Sequence, residues 1–345
     1  MSTALPTRQL GRNGPLVSAQ GLGLMGLSMF YGKRLPDVDR LKFLDYAYES
    51  GVRFWDTADV YADNEDLLGK WFKQSGKRKD VILATKFGII QRPGAPSAIR
   101  NDPEYIREAC RKSHQRLGLD SGDSIDLYYC HRIDPKQPIE TTVATMAELK
   151  NEGKIKFLGL SECSAETLRR ACKVHHIAAV QIELSPFAME SAHNGLLEAC
   201  SALGVAVVAY SPLSRGFLTG KLKSYNDFDG NDRRRVLPRF SKENFPKNLA
   251  LVEQIAELAR KKGCTSGQLT LAWLMSVGDN IIPIPGTTKA GNLDENISSL
   301  KIKLTENEIA EIRQMVDAAE VSGDRHPISM MPFLYVDTVP IIKEL

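Results

Sequence analysis

Short apolar runs alternate with amphipathic stretches along nearly the whole chain, a rhythm that predicts repeated βαβ units and therefore a parallel sheet. Eight runs read as strands, over residues 17–24, 52–56, 81–86, 125–131, 155–160, 178–183, 205–210 and 280–284. Between them, apolar positions at helical spacing predict helices over 37–50, 64–73, 103–117, 139–151, 165–174 and 194–203, then one helical block over 249–277. In the first of these Val38, Leu41, Leu44 and Tyr48 share a face, and Gly51 ends it. Eight strands, each followed by a helix, is the count that closes a (β/α)8 TIM barrel; the alternative is an open doubly wound sheet.

One motif favours the open sheet. Gly21-Leu-Gly23-Leu-Met-Gly26 is a literal G-x-G-x-x-G after a strand. A dinucleotide fingerprint also needs a helix that opens at the glycines, because its N-terminus holds the pyrophosphate, and an acidic residue at the end of the next strand. Here residues 28–36 read as a loop, and Asp45 and Glu49 fall inside the following helix. The glycines are expected to ease a tight strand exit instead.

Composition narrows the class. The 345 residues are 43% hydrophobic and 25% charged, ordinary globular usage that excludes disorder, collagen and coiled coil. Barrels of this type routinely exceed 250 residues as one unit, so a single domain over 1–345 is expected. A formal charge of +3 gives no field suited to nucleic acid or an anionic membrane. The start lacks a signal-peptide core, and no run approaches the roughly 18 apolar residues of a membrane span, so a cytoplasmic protein is expected. The six cysteines lie far apart without a C-x-x-C, as small buried hydrophobes rather than a disulfide frame, and no metal site is assigned. Two segments depart from the barrel rhythm: a connection over 211–248, long enough to fold over a ligand, and a tail over 321–345 whose Met330, Met331, Phe333, Leu334 and Tyr335 are suited to wall a pocket or to dock the terminus.

A barrel builds its site at the C-terminal ends of its strands. Strand two ends at Asp56 with Tyr61 just beyond, strand three at Lys86 and strand four at His131. These are ionisable groups that a buried strand end would not choose for packing. A phenol beside an ammonium is expected to have its pKa lowered from about 10, and a carboxylate keeps that ammonium charged. A histidine at the same point can donate to a carbonyl oxygen or supply the proton itself. The four together are an acid for protonating an oxyanion.

The runs Asp56-Thr-Ala-Asp-Val-Tyr61, Ala84-Thr-Lys86-Phe-Gly, Ile125-Asp-Leu-Tyr-Tyr-Cys-His131, Gly153-Lys-Ile-Lys-Phe-Leu-Gly-Leu-Ser161 and Ala209-Tyr-Ser-Pro-Leu213 resemble those of the aldo-keto reductases. With Ile284-Pro-Gly-Thr-Thr-Lys289 the chain is most similar to their plant and fungal branch. The resemblance implies the (β/α)8 barrel, an N-terminal β-hairpin over about 5–17, a C-terminal substrate loop, and NADPH-dependent reduction of aldehydes and ketones without a metal. It makes Tyr61 the proton donor, Asp56 and Lys86 the pair that tunes it, and His131 the residue that orients the carbonyl. It assigns Ser161 and Gln181 to the nicotinamide carboxamide and Tyr210 to stacking on the ring. Ser211, Leu213 and Arg215 fall to the pyrophosphate, Gly286, Thr287 and Lys289 to the 2′-phosphate region, and Asn292 and Asn296 to adenine. Two departures stand out. Glu162 occupies a position where the family often has Asn, and an ionised carboxylate cannot donate to an amide oxygen. Gly286 and Asn292 replace the Lys and Arg of many relatives, leaving Lys289 as the cation that favours NADPH over NADH. Phe30, Tyr31, Phe87 and Phe187 are expected to wall an apolar pocket for a small-molecule carbonyl. The same fold also implies an alternative, a non-catalytic NADPH-binding regulatory subunit of the kind found with potassium channels.

Overall fold

The computed structural model describes residues 5–30, 34–92, 95–119, 122–230 and 232–341. Eight parallel strands follow one another around a single sheet in chain order: Leu22–Gly23, Phe54–Asp56, Ile82–Phe87, Ile125–Cys130, Ile155–Ser161, Ala179–Glu183, Ala206–Tyr210 and Ile281–Pro283. First and last also meet. The Gly21 N–H donates to the Pro283 carbonyl at 3.0 Å, and Gly23 bridges Gly286 in parallel register, so the sheet closes as a barrel and the doubly wound alternative falls.

The glycines of the G-x-G-x-x-G run serve that closure. A Cβ on Gly21 would stand 2.7 Å from Phe54 Cδ1 and 2.9 Å from Ile284 Cγ2, and one on Gly23 would stand 3.0 Å from the Ile284 carbonyl oxygen. Only hydrogen fits between strands one, two and eight. A single 3-10 turn, Met25–Leu27, lies within the run, and the next α-helix starts only at Asp37, so no α-helix opens at the glycines.

The first strand is shorter than the pattern implies. Val17 belongs to an antiparallel hairpin, Thr7–Gln9 with Leu16–Ser18, that turns through Asn13 in the left-handed region at φ 63°. Leu10 and Val17 pack with Phe54, Ala84, Leu127, Tyr129, Ala179, Ala206, Val208 and Ile282 inside the barrel, so the hairpin plugs its bottom. Sequence periodicity cannot separate a hairpin strand from a barrel strand three residues away, because both are short apolar runs.

Helices Asp37–Glu49, Asn64–Ser75, Pro103–Leu117, Ile139–Asn151 and Ala165–Val174 pack outside, close to their expected bounds. The block over 249–277 is two helices, Asn244–Lys262 and Ser266–Ser276. Gly263 at φ 73° ends the first, and Thr265 with Gln268 forms a reciprocal capping box that starts the second. The helix expected over 194–203 starts at Leu196, after a short Glu190–His193 turn. An unforeseen antiparallel pair, Ile89–Arg92 with Ala95–Ile99, extends strand three. The 211–248 connection is a chain of short turns, Ser214–Thr219, Tyr225–Asp227, Arg233–Val236 and Pro238–Phe240, before the helix at Asn244. All six cysteines are free, and four are buried. Among the described residues no helix is long and apolar enough to cross a membrane.

Candidate active site

Side chains alternate inward and outward along a strand, so each barrel strand offers an inward series. The lower positions are apolar: Phe54, Ala84, Leu127 and Tyr129, Ala179, Val208 and Ile282. Two residues further up, the same series yields Asp56, Lys86, His131 and Gln181. Strand length and period alone therefore stack a polar layer on an apolar floor.

This layer is bonded across the lumen. Lys86 Nζ donates to Asp56 Oδ1 at 2.5 Å and to the Thr57 carbonyl at 2.7 Å, and Gln181 Nε2 donates to Asp56 Oδ2 at 2.7 Å. Strands two and six lie on different sides of the ring, so the contact between Asp56 and Gln181 spans the interior. The loop after strand two is pinned to strand three by Thr57 N–H to the Ala84 carbonyl (2.9 Å) and Asp59 N–H to the Lys86 carbonyl (3.1 Å). That docking sets the Tyr61 ring centroid 5.0 Å from Lys86 Nζ and 5.8 Å from the His131 ring, edge-on at 84°. The four expected catalytic residues thus converge.

Electrostatics at Tyr61 correct the expectation. Burial pushes the phenol above its ordinary value; Lys86 and Arg132 pull it down, Asp56 pushes it up, and the net direction is upward. A cation lowers a phenol only where desolvation does not outweigh it. Burial likewise works against the Lys86 charge, but Asp56 and Tyr61 more than offset it, and the ammonium is held above the usual lysine range. Burial, then Lys86 and Arg132, hold His131 well below 6.5, so its ring is neutral at pH 7.

Around this centre the other expected residues are distributed as follows. Ser161 Oγ is 3.4 Å from Arg132 Nη1, a buried guanidinium that the sequence reading did not single out. The Tyr210 hydroxyl donates to Glu162 Oε1 at 2.7 Å. Ser211, Ser214, Arg215 and Gly216 all have positive φ, between 46° and 90°, a curled backbone of the kind that turns N–H groups toward an anion. Leu213 sits within it. The Arg215 guanidinium is engaged by Glu183 Oε2 at 3.2 Å and the Arg325 carbonyl at 2.9 Å. Near strand eight, Gly286 is exposed, the Lys289 N–H donates to Thr287 Oγ1 at 3.1 Å, and exposed Lys289 stands just before helix Ala290–Ser298. Asn292 is half-buried on that helix and Asn296 is buried.

Three wall assignments change. Phe87 faces outward from strand three and packs on Tyr128 with centroids 4.9 Å apart, since its neighbour Lys86 takes the inward position. Phe187 is 2% exposed and stacks on Phe217 in the core. Phe30 is exposed, with Arg233 of the long connection 4.8 Å above its ring. Tyr31 lies outside the described residues. Met330, Met331, Phe333, Leu334 and Tyr335 are half-buried on and after the turn Ile328–Phe333.

What the sequence reading missed is a buried charge network beside strand five. Arg325 clasps Glu162 through both nitrogens, at 3.0 and 2.9 Å, and lies 3.7 Å from Glu183, which also pairs with Arg215 and approaches His326 at 3.5 Å. The Arg215 and Arg325 guanidiniums, with His326 beside them, hold the Glu183 carboxyl down to about 2 against the cost of burial. A usable signal existed: a glutamate next to a strand-end serine needs a buried cation somewhere in the chain.

Comparison with known proteins decides the family. The Aldo/keto reductase family model matches residues 21–317. The chain belongs to the aldo/keto reductase family. It is 51% identical over 329 residues to aldo-keto reductase str7 of Strobilurus tenacellus, covering 93% of this chain and 95% of that one. It is 44% identical over 345 residues to aldo-keto reductase yakc [NADP(+)] of Schizosaccharomyces pombe, covering 99% and 100%. Among solved structures, the glycerol dehydrogenase AKR11B4 of Gluconobacter oxydans superposes with TM-score 0.81 at 26% identity, covering 92% of this chain and 97% of that one. The thermostable aldo-keto reductase Tm1743, solved with the inhibitor epalrestat, superposes with TM-score 0.73 at 26% identity, covering 90% and 100%. As an aldo/keto reductase the chain is an oxidoreductase, and its hairpin-plugged barrel with a polar upper layer is the scaffold for that chemistry.

Proposed function

We propose that this reductase converts aldehydes or ketones to alcohols with NADPH, Tyr61 delivering the proton. The observation that carries the reading is the Asp56–Lys86–Gln181 cluster closed across the lumen beside Tyr61 and His131. The name of the S. pombe relative includes NADP(+), which supports the cofactor.

The residues present fit that cofactor. The curled segment 211–216 suits a pyrophosphate, and exposed Lys289 at a helix start suits the 2′-phosphate. Ser161 and the Tyr210 ring are suited to hold a nicotinamide, and His131 Nδ1 and Arg132 Nε are buried polar atoms with no hydrogen-bond partner among the described residues. When bound, the nicotinamide supplies the hydride.

The chain's own task is placement and protonation. Neutral His131 orients the carbonyl oxygen by donating to it rather than by carrying a charge. Tyr61, raised in pKa, is fully protonated at neutral pH and is ready to donate as the oxygen becomes anionic. The phenolate left behind faces the Lys86 ammonium, whose charge Asp56 maintains. Low-dielectric surroundings strengthen that stabilisation. The apolar tail side chains favour bulky or aromatic carbonyls over small ones.

The test is Tyr61→Phe. Carbonyl reduction, followed at the nicotinamide absorbance, is expected to fall by about 10²- to 10⁴-fold while NADPH fluorescence quenching stays close to wild type. Retained turnover would remove Tyr61 from its role. A wild-type chain that quenches NADPH fluorescence but reduces no aldehyde or ketone would instead be a regulatory subunit.

A further inference from the structure

Glu162 is joined to the C-terminal tail twice. Its carboxylate receives both Arg325 nitrogens, at 3.0 and 2.9 Å, and its backbone carbonyl accepts the Val336 N–H at 3.0 Å. Next to it, Cys163 bridges Val336, the Ser164 N–H donates to the Val336 carbonyl at 3.1 Å, and the Ser164 hydroxyl bonds Asp337. Residues 326–335 therefore leave Glu162 at Arg325 and return to it at Val336, forming a strap with both ends on one residue. The strap carries Met330, Met331, Phe333, Leu334 and Tyr335, and the Arg325 guanidinium lies 5.0 Å from the Tyr335 ring centroid. Beyond it the chain continues past strand four's exit, where the Val339 N–H donates to the Pro135 carbonyl and Thr338 Oγ1 accepts from the Ile139 N–H. The tail thus crosses the face of the barrel that holds Tyr61 and His131.

Glu162 also receives the Tyr210 hydroxyl at 2.7 Å and the Glu183 N–H at 3.2 Å, so its oxygens are committed to protein donors. It holds this place in the left-handed region at φ 53°, a conformation unfavourable to a side chain of this kind and retained where the surroundings over-determine it. Its side chain and Arg325 are respectively 0% and 2% exposed. An amide here would remove the two-pronged counter-charge of a buried guanidinium and leave it only the more distant Glu183 at 3.7 Å and Glu190 at 4.0 Å. The glutamate and the arginine therefore belong together, and the departure at 162 noted in the sequence is accounted for by a residue 163 positions away.

We propose that the Glu162–Arg325 pair is a positioning device for carbonyl recognition: it fixes the strap 326–335 and the Tyr210 ring to the end of strand five, and so sets the apolar wall against which a bulky carbonyl docks. The proposal rests on the carbonyl-reductase reading for its substrate. Arg325 touches no reacting atom. Its loss changes how well a large substrate is held and leaves the proton and hydride steps of a small one in place.

The experiment compares wild type, Arg325→Met and the double variant Glu162→Gln/Arg325→Met on a bulky aromatic aldehyde and on a small aliphatic aldehyde. Arg325→Met is expected to lower kcat/KM for the aromatic aldehyde, chiefly through KM, by about tenfold more than for the small one. The double variant is expected to regain melting temperature, because it no longer buries a lone carboxylate, but not the ratio, because the strap still lacks its anchor; recovery of the ratio would overturn the proposal. A merely structural role would lower both substrates equally, and an unchanged ratio overturns the proposal whatever the absolute rates. Should the wild type reduce no carbonyl, the reductase reading fails, and the strap is judged by chymotrypsin. Cleavage at Phe333–Tyr335 is expected to be faster in Arg325→Met than in wild type, and equal rates overturn the anchor.

Discussion

At the scale of single residues, the logic of the proposed site is one buried charge supporting one proton. Replacing Lys86 by Met is expected to lower carbonyl reduction by about 10²- to 10⁴-fold and to cost about 3–5 kcal/mol of stability, since Asp56 is left buried and unpaired. Adding Asp56→Asn should restore most of that stability and none of the activity, which thermal unfolding and steady-state rates can read separately. In the proposed role Tyr61 must be protonated, and its pKa is raised, so reduction should hold through neutral pH and fall only as the pH passes above 10. Asp56, Tyr61, Lys86 and His131 were legible because each sits at a strand end where packing gives no reason for charge. The direction of the Tyr61 shift was not, since desolvation depends on neighbours that no local motif lists. Arg325 was hidden for a related reason: a partner 163 residues away leaves no spacing to read.

At the scale of elements, the eight strands were visible as apolar runs and most helices by their faces and caps. Failures occurred where two elements of like pattern adjoin. Val17 was absorbed into strand one because the second hairpin strand, Leu16–Ser18, ends just before the barrel strand Leu22–Gly23, and 249–277 merged two helices across Gly263. The G-x-G-x-x-G run shows the same ambiguity, because glycine that admits a phosphate and glycine that admits a neighbouring strand look alike in sequence. Closure supplies the test. Gly21→Ala pushes a methyl to 2.7 Å from Phe54 Cδ1 and 2.9 Å from Ile284 Cγ2, and is expected to cost about 1–3 kcal/mol as overpacking between strands one, two and eight. A phosphate-binding glycine would show lost NADPH affinity at unchanged melting temperature; the barrel seam requires the opposite.

For the whole molecule, two carboxyls, Glu183 and Asp59, set opposite limbs of the pH–stability curve. Glu183 falls from 4.5 to about 2 because Arg215, Arg325 and His326 outweigh burial, so its contribution is complete above pH 4.5 and is lost as the pH drops toward 2. Asp59 runs the other way. Burial first, then Glu65, lift it from 3.8 to about 8 against the Val60 N–H, Arg116 and Lys86, so the folded state keeps a proton that the unfolded chain has already released. Stability therefore declines as the pH rises from 3.8 to about 8 and levels off beyond. Asp59→Asn removes this second limb. The melting temperature of the variant, measured against wild type at several pH values, should gain steadily between about pH 5 and 8, whereas parallel curves would show that Asp59 ionises normally. The consequence reaches the chemistry, because Asp59 holds the Tyr61 loop on the Lys86 carbonyl. Charging Asp59 at alkaline pH strains the same loop that carries Tyr61, the proposed donor, so the Asn variant should also retain reductase activity longer during incubation at about pH 9.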